Sequence, residues 1–430
     1  MDWKRLFTSV EAVRLTAWRR EFHRHPELCW QEAWTTARIV EVLEEAGIPI
    51  LCGPQVIDRR AMRGYSPQQA REASARAAGW GASPAILARM EGVTGAVAVL
   101  DTGRPGPTVA LRFDVDALPL QELQSPSHRP FAQGFCSQNP GVMHACGHDG
   151  HIAIGLGVAL AAWAQLDQFA GRIKLLFQPG EEGVRGGLAM AESGVVDDVD
   201  LFFSGHLGMG NPSGQLTALY GGALASTKFD IAFTGTSVHA ASAPQEGRNA
   251  LLAACSAVLG MHTLCQDAQG ETRLNVGTLH GGTGRNIIPD RVVLEVESRG
   301  ATDQVEQRLF QAALQVCQGA ARMYGCQASH LLQGYAPCGR CDEELLDPIL
   351  QAAKRVPAWS RVVPRGRMDA SEDVYCLINR VRQHGGKGAY LGLGADLAGR
   401  HHSAGFDFDE GALLAGAQLY LSLLGQFLGC

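Results

Sequence analysis

The sequence predicts an α/β protein in two parts: a discontinuous large domain, with a mixed sheet flanked by helices, and a smaller α+β domain inserted into it. Three observations lead there. The chain has 430 residues, more than one ordinary hydrophobic core accommodates. Short apolar runs alternate with helically spaced segments through the first half and again near the end, the pattern of buried strands in an α/β sheet. Between them lies a stretch whose strands alternate polar and apolar residues, the mark of a sheet with one wet face.

The elements follow in order. Leu6 to His25 and Trp34 to Ala46 carry helical apolar spacing, and Gly47 suits the stop of the second. Ser66-Pro67 reads as an N-cap followed by proline at the first helical position, opening one long Ala- and Arg-rich surface helix to Met90. Ala96 to Leu100, Val109 to Phe113, Ile173 to Phe177 and Val199 to Ser204 read as buried strands, and Ile152 to Trp163 as an apolar helix. The pattern then changes. Lys228 to Thr234 and Arg291 to Ser298 alternate, accompanied by helical stretches at Asn249 to Thr263 and Asp303 to Tyr324. Gly388 to Leu393 is again a strand, and Glu410 to Leu428 a closing helix. The expected boundaries are 1–220 and 334–430 for the large domain and 221–333 for the insertion.

Composition excludes several classes. Hydrophobic residues make up 46% and charged residues 19% of the chain, a globular balance rather than a disordered one. The net charge is −6 and no long basic run occurs, so neither nucleic acid nor an anionic membrane is expected as a partner. Met1-Asp2-Trp3-Lys4-Arg5 lacks the apolar core of a secretory signal, and no apolar run reads as long and uninterrupted enough to span a membrane. Twelve cysteines without a signal point to free thiols in a reducing cytosol, hence a cytoplasmic protein. Cys338-Gly339-Arg340-Cys341 has redox or zinc spacing, but no second pair accompanies it, and it is read as two incidental thiols.

The richest segment is Met143-His144-Ala145-Cys146-Gly147-His148-Asp149-Gly150-His151. It packs a thiolate donor and several imidazoles into a glycine-bearing loop entering a helix N-terminus. Four more segments sit at strand ends, where open α/β sheets place their sites. They are Arg112 to Pro119, with Asp114 and Asp116; Phe177 to Glu182, with Glu181 and Glu182 adjacent; Ser204 to Gly208, with His206; and His401 to Phe406, with His402. A carboxylate pair or a lone histidine is weak evidence alone. Together they form a mixed S, N and O donor set suited to Zn²⁺ or Mn²⁺, with room for two ions sharing ligands.

With Arg19-Arg20-Glu21-Phe22-His23-Arg24-His25-Pro26-Glu27, the Cys-Gly-His-Asp loop, the Pro-x-Glu-Glu turn and the terminal His-x-x-x-Phe, the chain resembles the M20 metallopeptidase family in its amidohydrolase branch, essentially from end to end. Asp101 to Pro107, Ser127-His128-Arg129-Pro130 and the Arg-rich insertion near residues 53–92 narrow the likeness to members that split the amide between p-aminobenzoate and glutamate. The resemblance implies a metal-dependent catalytic domain with an inserted dimerisation or lid domain. It implies Cys146, His148, Glu182, His206 and His402 as metal ligands and Glu181 as general base. The cofactor it implies is a divalent metal, two ions, with Mn²⁺ favoured and Zn²⁺ as the alternative. In the wider family an imidazole and a bridging carboxylate occupy places that fall here near Asp114 and His148, a departure from the wider pattern. Asp116 either orients a ligand histidine or caps a strand end.

The same resemblance implies that His239, in Thr236-Ser237-Val238-His239-Ala240, crosses to a partner's active site and stabilises the oxyanion there. Asn286 and Arg299 match positions that hold a substrate carboxylate, a group a bidentate arginine reads well. Relatives often carry an aromatic residue where this chain has Arg285, which is therefore assigned to a glutamate side chain. The partners implied are a small aroyl-amino acid substrate and a homodimer or a heteromer with a homologous chain. Two other readings stay open: a broader N-acyl or aroyl amino acid amidohydrolase, and a scaffold component of a heteromeric hydrolase.

Overall fold

The computed structural model describes residues 11–368 and 370–430. They form two compact units: one holds the residues up to Gly221 with Arg340–Met368 and Asp373–Cys430, the other Gly222–Gly339 with 370–372. The first unit carries strands β1 (Ile50–Cys52), β2 (Ala96–Asp101), β3 (Thr108–Asp114), β4 (Arg172–Gln178), β5 (Leu201–Leu207), β6 (Gln215–Gly221), β11 (Arg361–Arg367) and β12 (Lys387–Leu393). The second carries β7 (Ala225–Thr234), β8 (Thr272–Gly281), β9 (Arg291–Gly300) and β10 (Gln327–Ala336). Helices α1 (Ala12–Arg24), α2 (Ala33–Glu45), α3 (Pro67–Gly79), α4 (Pro84–Met90), α5 (Arg129–Ala132), α6 (His148–Trp163), α7 (Gly186–Glu192), α10 (Leu346–Ala353), α11 (Val374–Gln383) and α12 (Gly411–Leu428) belong to the first unit. Helices α8 (Ala250–Met261) and α9 (Asp303–Met323) belong to the second.

The large sheet has the order β1-β2-β4-β3-β5-β12-β6-β11. Its centre, β4-β3-β5-β12, is parallel, while β1-β2, β2-β4 and β12-β6 are antiparallel. β3 is buried along its whole length, as an apolar strand covered on both faces must be. Helix α6 is buried almost all round and packs on β3 and against α12, which also packs on β3. Helix α12 is long and apolar enough to span a membrane by composition, a run the sequence reading did not credit. Here 72% of it is buried inside the unit, so its hydrophobicity serves the core.

Two expectations change. The long helix from Ser66 to Met90 is two helices, α3 and α4. Ser66 does cap the first, its side chain accepting from Gln69 N. Pro84, with no N–H and a fixed φ, cannot continue a helix and starts a new one. Strand β5 runs on to Leu207, because its pairing with β12 extends through His206 and Leu207. The portion of the first expected helix at 6–10 lies outside the described residues. The second unit is a four-stranded antiparallel sheet, β10-β7-β9-β8. Apolar residues of α8, α9 and one sheet face form its core.

A buried polar network ties α1 to the start of α6. Arg19 Nε donates to Asp149 Oδ2 at 2.9 Å, and a terminal nitrogen donates to Asp407 at 2.8 Å. His23 meets carboxylates at both ring nitrogens, Asp149 at 2.8 Å and Glu122 at 2.9 Å. A ring that donates twice is an imidazolium. Burial alone would lower its pKa, but the hydrogen bonds to Asp149 and Glu122 hold it above the ordinary 6.5. Burial opposes ionisation of Glu122 too, yet His23 draws it from 4.5 down to about 2. Stability from His23 is therefore full below pH 6.5 and is lost as pH rises through its elevated folded value. Stability from Glu122 is present above pH 4.5 and is lost as pH falls toward about 2.

His23→Gln keeps hydrogen-bonding capacity without the charge. It should lower the unfolding free energy by about 3–5 kcal/mol near pH 6, as when one partner of a buried ion pair is removed. The gap to the parent should narrow as pH is raised. Urea unfolding at pH 6 and pH 9 measures it, and an equal gap at both would show a neutral ring in the folded protein.

Candidate metal centre

The carboxyl ends of β3, β4, β5 and β12 point the same way, and each delivers part of one cluster. β3 ends at Asp114, with Asp116 two residues on; β4 leads into Glu181 and Glu182; β5 carries His206; the loop after β12 carries His402. Cys146 and His148 arrive at the N-terminus of α6, where Gly147 adopts φ 92°, a conformation costly for a residue with a Cβ. Cys146, His148 and His206 place their donor atoms within 4.8 Å of one another, and so do Cys146, Glu182 and His402. His148 Nε2 lies 3.9 Å from both Glu181 and Glu182, and His402 Nε2 lies 3.4 Å from Glu182. Cys146 Sγ is 3.4 Å from His206 Nε2. All six residues expected here from the sequence meet in this one place.

Hydrogen bonds fix the tautomers. His148 Nδ1 donates to the Asp116 carbonyl at 2.8 Å, and His206 Nδ1 donates to the Leu207 carbonyl at 2.8 Å. In the neutral form of each ring the lone pair is thus on Nε2, which faces the cluster. His148 Nε2 is buried and makes no hydrogen bond, a placement that is costly unless something else occupies the lone pair. His151 is different. Its Nδ1 bonds Asp114, and its Nε2 accepts from Leu207 N at 3.0 Å, so both nitrogens are used.

The electrostatics call for a cation. Burial first, then Glu182 and Glu181, push the Cys146 thiol well above its ordinary value. Burial likewise raises Glu182 to about 7, with His148 opposing. His206 is pushed well down by burial and by His151 and His401. Burial disfavours a charge on His148, but the Asp114 carboxylate and its neighbours lift the ring to about 10. The carboxylates that favour a positive charge on His148 would also favour a cation beside it. A divalent cation would convert the surplus of buried carboxylate and thiol from a cost into coordination. The donor set and the orphaned Nε2 both fit such an ion.

Several supporting residues escaped the sequence reading. Arg112 is fully buried; it donates to Asp114 Oδ2 at 2.6 Å, Gln178 Oε1 at 2.8 Å and Asp373 Oδ1 at 3.2 Å. Asp373 also accepts from Gly187 N at the start of α7. Asp116 does more than orient His148 through its carbonyl: its carboxylate accepts Glu181 N and Glu182 N, each at 3.0 Å. The His148/His151 spacing on a helix was the one available signal for His151; Asp373 had none, because its partners are distant in sequence.

The remaining expected residues lie in the second unit. Ala240 N bonds Asn286 O at 2.9 Å and Ile288 N bonds Val238 O at 2.9 Å, which places the His239 loop against the Arg285-Asn286 loop. All three side chains are exposed. His239 Nδ1 accepts from Ala241 N and Ser242 N at 3.2 and 3.3 Å, leaving the proton of the neutral ring on the outward Nε2. Arg299 is not with them. It sits near the far end of β9, paired with Ser226 where the chain enters and leaves the unit. At about 3.4 Å per residue, the strand separates it from the Asn286 loop by on the order of 25 Å.

Fold and site together define a metal-dependent hydrolase of amide bonds. The chain belongs to peptidase family M20/M25/M40, whose model matches residues 110–426. It is 42% identical over 421 residues to a Haemophilus influenzae homolog of one of the subunits of p-aminobenzoyl-glutamate hydrolase, covering 98% of this chain and 100% of that one. It is 43% identical over 403 residues to the indole-3-acetyl-aspartic acid hydrolase of Enterobacter agglomerans, covering 93% and 92%. Among solved structures, the aminobenzoyl-glutamate utilization protein of Klebsiella pneumoniae superposes with a TM-score of 0.82 at 35% identity, covering 96% of this chain and 95% of that one.

Stripping metal should leave Cys146 a neutral thiol, and loading Mn²⁺ or Zn²⁺ should displace its proton. Adding either ion to the chelator-treated protein in weak buffer should acidify the solution and raise Tm. At an ion concentration 100 times Kd the gain should be about 2.7 kcal/mol. Acidification without a rise in Tm would place the ion in the unfolded or surface pool.

Proposed function

We propose that this chain hydrolyses p-aminobenzoyl-glutamate to p-aminobenzoate and glutamate. The observation that carries the reading is the end-to-end likeness to two hydrolases whose named substrates both join an aromatic acyl group to an acidic amino acid. A broader aroyl-amino acid range is the second reading, favoured by the aspartate conjugate in the second name. A pure scaffold role fits poorly, since one cluster retains every expected ligand and the base.

Cys146, His148, Glu182, His206 and His402 would hold the metal. Cys146 belongs to both donor groups, so two ions could share it; Mn²⁺ is ranked above Zn²⁺ on the resemblance to the amidohydrolase branch, while thiolate and imidazole donors by themselves also suit Zn²⁺. When bound, the ions lower the pKa of water and polarise a carbonyl. Glu181 does the proton work. It takes the proton of the attacking water on its carboxylate and returns it to the anilide nitrogen as the C–N bond breaks. Asp116 keeps Glu181 and Glu182 aimed by accepting both their amides. The second unit acts as the dimerisation or lid domain. Its His239 Nε2–H is free to stabilise the oxyanion. Because His239 and Asn286 lie at one end of this unit and Arg299 at the other, a single substrate can meet all three only if two chains contribute. Arg299 and Asn286 would hold the α-carboxylate, while Arg285 supplies the cation for the side-chain carboxylate. The second chain is another copy or a homologous protein. None of the twelve cysteines is in a disulfide, which suits a cytoplasmic setting.

The direct test is the purified, Mn²⁺-loaded chain offered p-aminobenzoyl-glutamate and p-aminobenzoyl-glycine. The glutamate conjugate should be the better substrate, and Glu181→Gln should lose about 10²–10⁴-fold in kcat with metal content unchanged. Near-normal turnover by that variant would remove Glu181 as the base. If the wild-type chain splits neither conjugate, the substrate reading fails.

A site shared between two chains predicts complementation. Inactive His239→Ala and Glu181→Gln chains, mixed and allowed to exchange, should regain part of the activity, because one of the mixed sites holds an intact Glu181 and an intact His239. A chain that sediments as a fully active monomer would contradict it.

A further inference from the structure

The Pro179-Gly180-Glu181-Glu182 turn is held by more than Asp116. Three consecutive amides, those of Gly180, Glu181 and Glu182, each donate to a buried carboxylate. Gly180 N donates to Glu32 Oε1 at 2.9 Å, and Glu181 N and Glu182 N donate to the two oxygens of Asp116 at 3.0 Å. Glu32 stands at the N-terminal end of α2 and is fully buried. Its other oxygen accepts the Thr94 hydroxyl at 2.7 Å. Thr94 and Gly95 are the residues by which the Arg-rich segment near 53–92 rejoins the sheet at β2.

That segment presses on the same turn at other points. A Cβ on Gly95 would lie 2.8 Å from the Pro179 ring, so the exit strand packs directly against the turn. Asp58 N bonds Ala189 O on α7, the helix that follows the turn. Gly95 N bonds the Thr36 hydroxyl one helical turn beyond Glu32. Arg76 of α3 lies 3.4 Å from the buried carboxylate of Glu27, which accepts Thr35 N at 2.8 Å. The segment, the start of α2 and the turn thus form one hydrogen-bonded block with Glu32 at its middle.

We propose that Glu32 is a positioning residue that fixes the catalytic turn, and that the Arg-rich segment serves as a buttress transmitted to the turn through Thr94 and Glu32. This rests on Glu181 being the base. A carboxyl group is well chosen for the task, because one oxygen can serve the turn while the other serves the buttress. Glutamine, with the same shape and the same reach to both partners, is a close stand-in. Its amide oxygen can accept Gly180 N–H, and its NH₂ can donate to the Thr94 hydroxyl.

The test compares Glu32→Ala, Glu32→Gln and Thr94→Val in the metal-loaded full chain. A misplacement of about 1 Å can cost 10²-fold in rate. Glu32→Ala should therefore lower kcat by roughly 10- to 100-fold with KM and bound metal unchanged, and Glu32→Gln should recover most of that loss. Thr94→Val should lower kcat several-fold, again without a change in KM. Hydrogen exchange supplies a readout independent of turnover. Peptides covering 177–187 should exchange faster in Glu32→Ala and Thr94→Val than in the parent or in Glu32→Gln. Unchanged exchange and kcat in Glu32→Ala overturn the proposal, as does a loss of metal in step with activity. If Glu32→Ala does not fold, Thr94→Val decides, and parental kcat and exchange in that variant overturn it. Wild-type chain inactive on the aroyl-glutamate would instead count against the substrate reading, while the exchange result would still judge the buttress.

Discussion

The structure depends on one concentration of buried negative charge. Asp114, Asp116, Glu181, Glu182 and the Cys146 thiol are gathered where four parallel strands end, largely out of water. Unpaired ions at that depth are very costly. The protein meets the cost in two ways. Arg112 neutralises Asp114 from the sheet side, and backbone amides of the turn satisfy Asp116. The remaining donors face inward toward His148 Nε2, which makes no hydrogen bond, and a divalent cation would complete the set.

This constraint explains why so much of the surrounding architecture is polar though deeply buried. Arg19, His23, Glu122 and Asp149 brace the first turn of α6, while Arg112, Gln178 and Asp373 join β3, β4 and α7. Leu207 serves as a local hub: its carbonyl accepts from His206 and His401, and its amide donates to His151. Each bond removes a rotational or tautomeric alternative from a donor. A metal site built this way needs little rearrangement on binding, and rigid placement is what a general base beside it requires.

The second unit follows a different rule. Its candidate side chains lie at opposite ends of a sheet whose core is ordinary apolar packing, with His239, Arg285 and Asn286 exposed and Arg299 half-buried. The unit meets the buried carboxyl of Glu306 with the Ser298 hydroxyl. Its contribution is reach, with His239 and Asn286 carried on loops far along the strands from the point where the chain enters.

The division between sequence and structure runs along the same line. The sequence determined the alternation of strands and helices, the change of pattern that marks the insertion, and the donor residues, because donor chemistry and strand-end placement are local properties. Cys146, His148, Glu181, Glu182, His206 and His402 were legible for that reason. The break at Pro84 was legible too, and was missed only because helical composition continues past it. Other features belong to the tertiary structure alone. Glu32 and Asp373 look like ordinary surface acids until folding brings Gly180 and Gly187 to them from some 150 to 190 residues away. The separation of Arg299 from Asn286, thirteen positions apart in the chain, depends on their lying on either side of a strand's length. Hydrogen-bond partners and strand geometry are set by contacts distant in sequence, and no local pattern encodes them.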